Sequence, residues 1–286
     1  MIRKLLALAL LWPAIAWADY RSVVLADGPI GYWRLGESSC VSSPQCVGHD
    51  EVGSGANDIN YSLTGVTYAQ TGALTGDPNT AIKFDGVTGL ATVGASGGTA
   101  NTFRIPAGGS VSFEFWVKET TLHGAAGLEI ASKDTGTVNA EWLLGVGGGS
   151  PWVMYVQQFD ITNTSRAAVA TASGIGTSYH YVVFTIQDNT AQKAYFDGTL
   201  EGTNTTFAGT QNTSGTANMV LAQLGPAFFP GTIDEFAFYN YVLTQAQITK
   251  HYNAGRGIFT GGGWPFAHRQ LPKPLLVGFL RGESRY

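Results

Sequence analysis

The chain has 286 residues, of which 44% are hydrophobic and only 13% are charged, and 38 of them are glycine. An all-β sandwich of this length often forms one domain, so one domain is expected here. Residues 19–255 carry 9 Lys and Arg against 19 Asp and Glu, a net charge of −10, which excludes nucleic acid as an electrostatic partner of this segment.

The N-terminus has the pattern of a secretory signal peptide over residues 1–18. Met-Ile-Arg-Lys is followed by an apolar run over residues 5–11, and then by Ala16-Trp17-Ala18 before Asp19. This order predicts cleavage after Ala18. An uncleaved anchor is the alternative, although the run is shorter than the roughly 20 residues that span a bilayer. The mature protein is expected to be secreted or extracellular, with the periplasm or the cell surface as alternatives, and to have no membrane span.

The two cysteines, Cys40 and Cys46, are expected to form a disulfide. An oxidising compartment favours pairing of two thiols this close in sequence. The pair has no accompanying His or Cys with zinc-ligand spacing, so a metal site here is disfavoured.

Short strand-like segments separated by Gly, Asn, Asp and Pro predict an all-β sandwich of two antiparallel sheets. The predicted strands cover residues 32–35, 81–84, 111–118, 141–146, 152–158, 180–187, 192–196 and 232–239. Asp197-Gly198 predicts a tight turn that leads into a further strand. Thr244, with Gln247 three positions later, predicts the capped start of a short helix over residues 244–251.

Residues 256–286 form a C-terminal tail of different composition. The tail has five basic residues and one acidic residue, for a net charge of +4. It contains Gly261–Gly263, Leu271-Pro-Lys-Pro274 and an apolar run over 275–280. The segment is too short to bury a core of its own, so it is expected to be extended and to dock on its own domain or on a protein partner.

Six motifs recur in an order that resembles the laminin-G-like jelly rolls of the concanavalin A-like lectin and glucanase superfamily. They are DGPIGYWRLGE at 27–37, GALTGD at 72–77, AIKFDG at 81–86, VSFEFWVK at 111–118, YFDG at 195–198 and GTIDEFAFYN at 231–240. The resemblance covers residues 27–255 and implies two stacked sheets in which the first and last strands are adjacent. Fold alone does not select a function, because such domains include sugar-binding modules, adhesins and bacteriophage surface proteins.

The resemblance also implies a structural calcium ion near the terminal strands. Glu37, Asp50 and Asp234 match the places of its ligands, and calcium takes six to eight oxygen ligands. The alternative is that Glu37 and Asp50 are solvated loop acids and that Asp234 caps a turn. The Cys40–Cys46 insertion departs from the simpler family pattern at this point.

A carbohydrate site needs an aromatic platform beside fixed hydrogen-bonding groups. Alternation along 111–118 places Trp116 on the same strand face as Glu114 and Lys118, opposite the core residues. Trp116 is therefore the preferred platform, and the other candidates for ligand binding are Glu114, Trp142, Trp152, Tyr155 and Gln157. The alternative for each aromatic residue is a place in the sandwich core.

Catalysis is not expected. Glucanases of this fold carry Glu-x-Asp-x-x-Glu on one strand so that two carboxyls flank the glycosidic bond, and the chain lacks that pattern. Glu114 and Glu119 fall on opposite faces of their strand, and Gly-x-Ser-x-Gly is absent. The expected function is a secreted, non-catalytic carbohydrate-binding or adhesion module. The alternative is a structural surface protein, such as a bacteriophage virion decoration or fibre component, that assembles through the tail.

Overall fold

The computed structural model describes residues 19–40, 46–53, 55–94, 102–120, 128–134, 140–147 and 152–258. The predicted signal peptide at residues 1–18 and most of the predicted tail, residues 259–286, lie outside the described residues. No helix in the described ranges is long and apolar enough to cross a membrane.

The described chain is mostly strand, with one short helix near each end. The elements in chain order are α1 (Tyr20–Ala26), β1 (Gly31–Trp33), β2 (Cys46–Gly48), β3 (Ile59–Tyr61), β4 (Val66–Thr71), β5 (Thr80–Phe84), β6 (Ala91–Val93), β7 (Ser110–Glu119), β8 (Leu128–Lys133), β9 (Trp142–Gly147), β10 (Trp152–Phe159), β11 (Ser165–Ile175), β12 (His180–Gln187), β13 (Ala191–Phe196), β14 (Thr199–Asn204), β15 (Val220–Leu221), β16 (Gln223–Leu224), β17 (Ala227–Phe228), β18 (Gly231–Tyr239) and α2 (Gln245–Gly255).

Two antiparallel sheets form a jelly-roll sandwich, as predicted. The first sheet has the order β14-β13-β12-β7-β18-β5-β4, with β1 also paired to β18, and the second has the order β11-β10-β9-β8-β15-β6-β3-β2. The predicted adjacency of the terminal strands is confirmed, because Gly31 pairs with Phe238 and Trp33 with Phe236.

Aromatic side chains fill the space between the sheets. Phe113 of β7 lies 4.7 Å from Trp142 of β9 and 4.9 Å from Phe238 of β18, measured between ring centroids. Trp33 is fully buried in the same core. These contacts follow from the period-2 alternation of each strand, which sends every second side chain into the sandwich.

Both helices pack against the outer face of the first sheet. The prediction of a capped helix near the C-terminus is confirmed. The Thr244 side chain accepts from the Gln247 backbone N–H, and the Gln247 side chain accepts from the Thr244 backbone N–H. The helix runs further than expected, to Gly255. The first helix was not predicted. Its N-cap is Asp19, whose carboxylate accepts from the Ser22 backbone N–H at 2.7 Å.

Two local predictions are also confirmed. Asp197 and Gly198 both have positive φ, 48° and 80°, between β13 and β14, which is the backbone that a two-residue hairpin turn requires. Cys40 and Cys46 form a disulfide with their Cα atoms 4.8 Å apart. The bond ties β2, the edge strand of the second sheet, to the loop after β1.

Candidate functional site

Trp116 lies under the two helices and not on an open face. Its side chain is fully buried in a second apolar cluster that includes Tyr20 of α1 and Ile248 of α2. Its ring stacks on Tyr252 at 6.1 Å. The prediction that Trp116 is an exposed ligand platform is therefore wrong. The outward positions of β7 include polar residues because the layer between this sheet and the helices contains polar groups as well as apolar ones.

Glu114, on the same face of β7, is also fully buried. Its carboxylate accepts from the hydroxyls of Tyr181 at 2.7 Å and Tyr239 at 3.1 Å, and it pairs with His251 of α2 at 2.8 Å. The second ring nitrogen of His251 lies 2.8 Å from Asp27, at the end of α1. Glu114 therefore holds the helices to the sheet and is unavailable to a surface ligand.

Two further predicted platforms belong to the sandwich core. Trp142 is fully buried, and its indole N–H donates to the Phe103 carbonyl at 2.8 Å. Trp152 is 5% exposed and packs in the same core. Both tryptophans point inward in the alternation of their strands, so their assignment as ligand-binding residues is corrected to a structural role.

Tyr155 and Gln157 are the predicted residues that reach the outer face of the second sheet. They alternate along β10 with the buried Met154, Val156 and Gln158, and both are partly exposed. The prediction that the two side chains lie on the same face of the strand is confirmed, since they are two residues apart in β10.

The ring of Tyr155 lies over bare backbone of the neighbouring strand β9. A Cβ atom placed on Gly145 would come within 2.6 Å of Tyr155 Cζ and 2.7 Å of its hydroxyl oxygen, and one placed on Gly147 would come within 3.2 Å of Cε1. The two glycines therefore make a floor on which the ring lies flat against the sheet. Tyr155 shields this backbone, and its side chain is partly exposed.

Glu129 of β8 completes this surface, and the sequence interpretation missed it. In the sheet register Glu129 is opposite Gly145, which in turn is opposite Tyr155. Oε2 of Glu129 is buried and has no hydrogen-bond partner. Burial and the charge of Asp134 raise the pKa of Glu129 to about 7. We call this surface the Tyr155 face, defined by Glu129, Gly145, Gly147, Tyr155 and Gln157.

A sequence signal for the Tyr155 face does exist. Gly145 and Gly147 alternate with the core residues Leu144 and Val146, so two successive outward positions of one strand carry no side chain. Glycine inside a strand marks a place where another group approaches the backbone closely. The acid of β8 sits between the apolar Leu128 and Ile130, an alternation that directs it outward.

The three predicted calcium ligands do not form one group. Oδ1 of Asp50 accepts from the backbone N–H groups of Tyr32 at 2.9 Å and Val52 at 3.1 Å, and Oδ2 accepts from Asn57. Oε2 of Glu37 accepts from the hydroxyl of Tyr61 at 2.7 Å. Backbone and hydroxyl donors thus occupy carboxylates that a calcium ion would need.

Asp234 is 1% exposed, and one of its oxygens accepts from the Ala73 N–H at 2.7 Å while the other has no partner. The neighbouring Glu235 and Asp77 are paired with Arg34, both at 2.7 Å. Within the described ranges no three His, Cys, Asp or Glu residues are grouped to hold a metal ion. Glu37, Asp50 and Asp234 are therefore not grouped as one calcium site, and calcium binding by the protein stays a prediction.

A polar cavity of about 400 Å³ opens beside Glu37, and Arg34, His49 and Glu51 are part of its lining. Its charged groups are occupied by one another or by neighbours. Glu51 pairs with Arg21 at 2.6 Å, and Arg34 is held by the two carboxylates already described. This cavity therefore offers a ligand fewer unsatisfied groups than the Tyr155 face does.

Comparison with known proteins agrees with this architecture. A family model described as the Concanavalin A-like lectin/glucanases superfamily matches residues 92–249, more than half of the chain. The chain belongs to this superfamily. The matched range includes every residue of the Tyr155 face and the three strands that carry them, β8, β9 and β10. No curated protein matches the chain.

Solved structures that resemble this superfamily member include bacterial toxin domains. The botulinum neurotoxin serotype D binding domain has a TM-score of 0.56 and 14% sequence identity, covering 81% of this chain and 52% of that one. The binding domain of Paraclostridial Mosquitocidal Protein 1 has a TM-score of 0.52 and 11% identity, covering 80% and 53%. The chain spans about half the length of these structures, and identity this low shows a shared fold alone.

Proposed function

We propose that the protein is a non-catalytic carbohydrate-binding module and that the Tyr155 face is its binding surface. The observation that carries this proposal is the ring of Tyr155 lying flat on a glycine floor beside the unpartnered carboxylate of Glu129. A sugar presents apolar C–H faces edged by hydroxyls, so it is complementary to a flat ring with polar groups beside it. Gln157 supplies a further donor and acceptor on the same strand.

The absence of catalysis is part of the proposal. Glycosidases place two carboxyls across the scissile bond, about 5 Å apart in retaining enzymes. On β8 the Tyr155 face carries Glu129, and the acid that follows, Asp134, comes five positions later, after the strand has ended. Release of reducing ends from an oligosaccharide that binds at this face would contradict the proposal.

Export and surface attachment are proposed as well. The support for export is the signal-like pattern over 1–18 together with the disulfide, which is typical of oxidising compartments. Cleavage after Ala18 leaves Asp19, the N-cap of α1, in place. The mass of the mature N-terminal peptide tests this, with a start at Asp19 expected and a start at Met1 as the contradicting result.

Binding is tested with an array of immobilised glycans and the purified mature chain. Tyr155→Ala is expected to reduce binding at least tenfold. Gly145→Ala is expected to weaken binding nearly as much, because a Cβ atom there would displace the ring. Gly176→Ala, outside the Tyr155 face, is the matched control, since a Cβ atom there would have no other heavy atom within 4 Å. Equal binding by all four proteins would refute the site.

The alternative function is that of a structural protein that assembles through the tail. A variant truncated after Ile258 distinguishes this function from carbohydrate binding. The carbohydrate proposal expects the truncated protein to bind glycans with unchanged affinity. Loss of a high-order assembly with no glycan binding in either protein would favour the structural role.

A further inference from the structure

The Tyr155 face contains an unsatisfied negative group in a buried setting. Glu129 is 7% exposed, and its Oε2 atom has neither a hydrogen bond nor contact with solvent. A buried carboxylate oxygen without a partner is costly, and such a group in a native protein calls for an explanation. A cationic or hydrogen-donating ligand group would supply the missing partner, provided that the neighbouring Tyr155 side chain shifts to admit it.

The aromatic ring is positioned beside that carboxylate. The hydroxyl oxygen of Tyr155 lies 2.7 Å from the place of a Cβ atom on Gly145, and Glu129 is directly opposite Gly145 in the register. Residues opposite each other in a sheet have Cβ positions roughly 5 Å apart. Together with burial, the charge of Glu129 raises the pKa of Tyr155 above its ordinary value, which is consistent with this proximity.

A carboxylate next to an aromatic ring is suited to an ammonium group. The carboxylate supplies an ion pair, and the π-face of the ring attracts a cation placed over it. An acidic ligand group would instead face the unpaired carboxylate. The net charge of −10 over residues 19–255 favours the approach of a cationic ligand over an anionic one.

We propose that the ligand is a glycan bearing protonated primary amines, that is, a polymer with deacetylated amino-sugar units, whose ammonium group binds between Glu129 and the ring of Tyr155. This inference rests on the proposed carbohydrate-binding function. The sugar ring stacks on the exposed part of Tyr155 while its amine supplies the donor that Glu129 lacks. Gln157, two positions along β10, contacts the next polar group of the sugar chain.

The test uses three β-1,4-linked pentasaccharides that share a backbone: the glucosamine pentamer, the N-acetylglucosamine pentamer and cellopentaose. Their dissociation constants are measured by calorimetry at pH 6.5 with the wild type, Glu129→Gln and Tyr155→Ala. The wild type is expected to bind the glucosamine pentamer at least tenfold more tightly than the other two. Glu129→Gln is expected to bring the three affinities within about twofold, while Tyr155→Ala weakens all three.

The pH dependence provides a readout that a structural role for Glu129 would not move. Binding of the ammonium form requires the ionised carboxylate, so wild-type affinity for the glucosamine pentamer is expected to rise from pH 5.5 to 6.5 as Glu129 loses its proton. Glu129→Gln is expected to lack this rise. A fall in wild-type affinity over the same interval would overturn the inference.

The outcomes separate this inference from the function on which it rests. Equal wild-type binding of all three sugars, still lost in Tyr155→Ala, overturns the amine preference and leaves carbohydrate binding in place. Binding of none of these sugars and of no glycan on the array overturns both. Equal affinity for a lysine-rich peptide and for the glucosamine pentamer would identify an ammonium site that is not specific for glycans and would overturn the choice of ligand class.

Discussion

His251 and Glu114 form a buried ion pair, with Nδ1 of the imidazole 2.8 Å from Oε2 of the carboxylate. The pair joins α2 to the middle of β7, and Asp27 at the end of α1 contacts the other ring nitrogen. Burial acts to lower the pKa of His251, but the charges and hydrogen bonds of Glu114 and Asp27 outweigh it and raise the pKa above its ordinary value of 6.5. Both ring nitrogens then donate, and the two helices are held to the sheet by one cation.

Replacing His251 is expected to destabilise the fold. His251→Gln leaves Glu114 buried without its cation, and breaking a buried pair in this way costs about 3 kcal/mol of the free energy of unfolding. Urea unfolding at pH 6 measures this loss. His49→Gln is the control, because the His49 side chain is 79% exposed. A loss smaller than that of the control would show that the buried pair does not stabilise the helices.

The contribution of His251 is also expected to depend on pH. The folded-state pKa lies above the unfolded value, so the folded protein binds the proton more tightly. This stabilisation is fully present below about pH 6.5 and is lost as the pH rises through the raised folded-state pKa. The difference in unfolding free energy between wild type and His251→Gln should therefore shrink from pH 6 to pH 9. A difference that grows over this range would contradict the assignment.

Trp116→Ala is expected to reduce stability by about 4 kcal/mol, because it opens a large cavity between the sheet and both helices. Tyr155→Ala is expected to cost less than about 1 kcal/mol, as its ring is only partly buried. Urea unfolding measures both values. Glycan affinity, measured per folded molecule, should be unchanged in Trp116→Ala and lost in Tyr155→Ala. The reverse pattern would restore Trp116 as the platform.

Glu129→Gln is expected to stabilise the protein in alkaline but not in acidic solution. The folded-state pKa of Glu129 is raised from 4.5 to about 7, so the folded protein holds a proton that the unfolded chain has released. Stability therefore falls as the pH rises from about 4.5 to 7, and the penalty persists above pH 7. Gln removes that penalty. Melting temperatures at pH 4.5 and pH 8 are the measurement, with a gain only at pH 8 expected.

Loss of the disulfide is expected to have a modest effect. The chain-entropy model gives about 2 kcal/mol for a loop as small as the one between Cys40 and Cys46. A double Cys→Ser variant should unfold at a correspondingly lower urea concentration, and reductant should shift the wild type to the same midpoint. Reductant should leave the variant unchanged. Collapse of the whole fold in the variant would show that the disulfide does more than fix the edge of the second sheet.

Local features of the sequence predicted half of the described strands, the capped helix, the hairpin turn and the disulfide. These features depend on side chains near one another in the chain: period-2 alternation, Asp197-Gly198, and Thr244 with Gln247. Short strands such as β2, β3 and β6 were missed, since three residues are too few to show alternation. The longer strands β4, β8 and β11 were missed as well. α1 was missed because its seven residues give two helical turns at most.

The sequence by itself determined the sandwich and which side of β7 faces its core. It did not determine what covers the other side. Trp116 and Tyr155 both occupy outward positions of long strands, but α1 and α2 bury the first, while the second lies on a bare glycine floor. Which outward face is covered depends on contacts between residues more than a hundred positions apart, such as Glu114 with His251. Only the tertiary structure therefore decided that the candidate site lies on the second sheet.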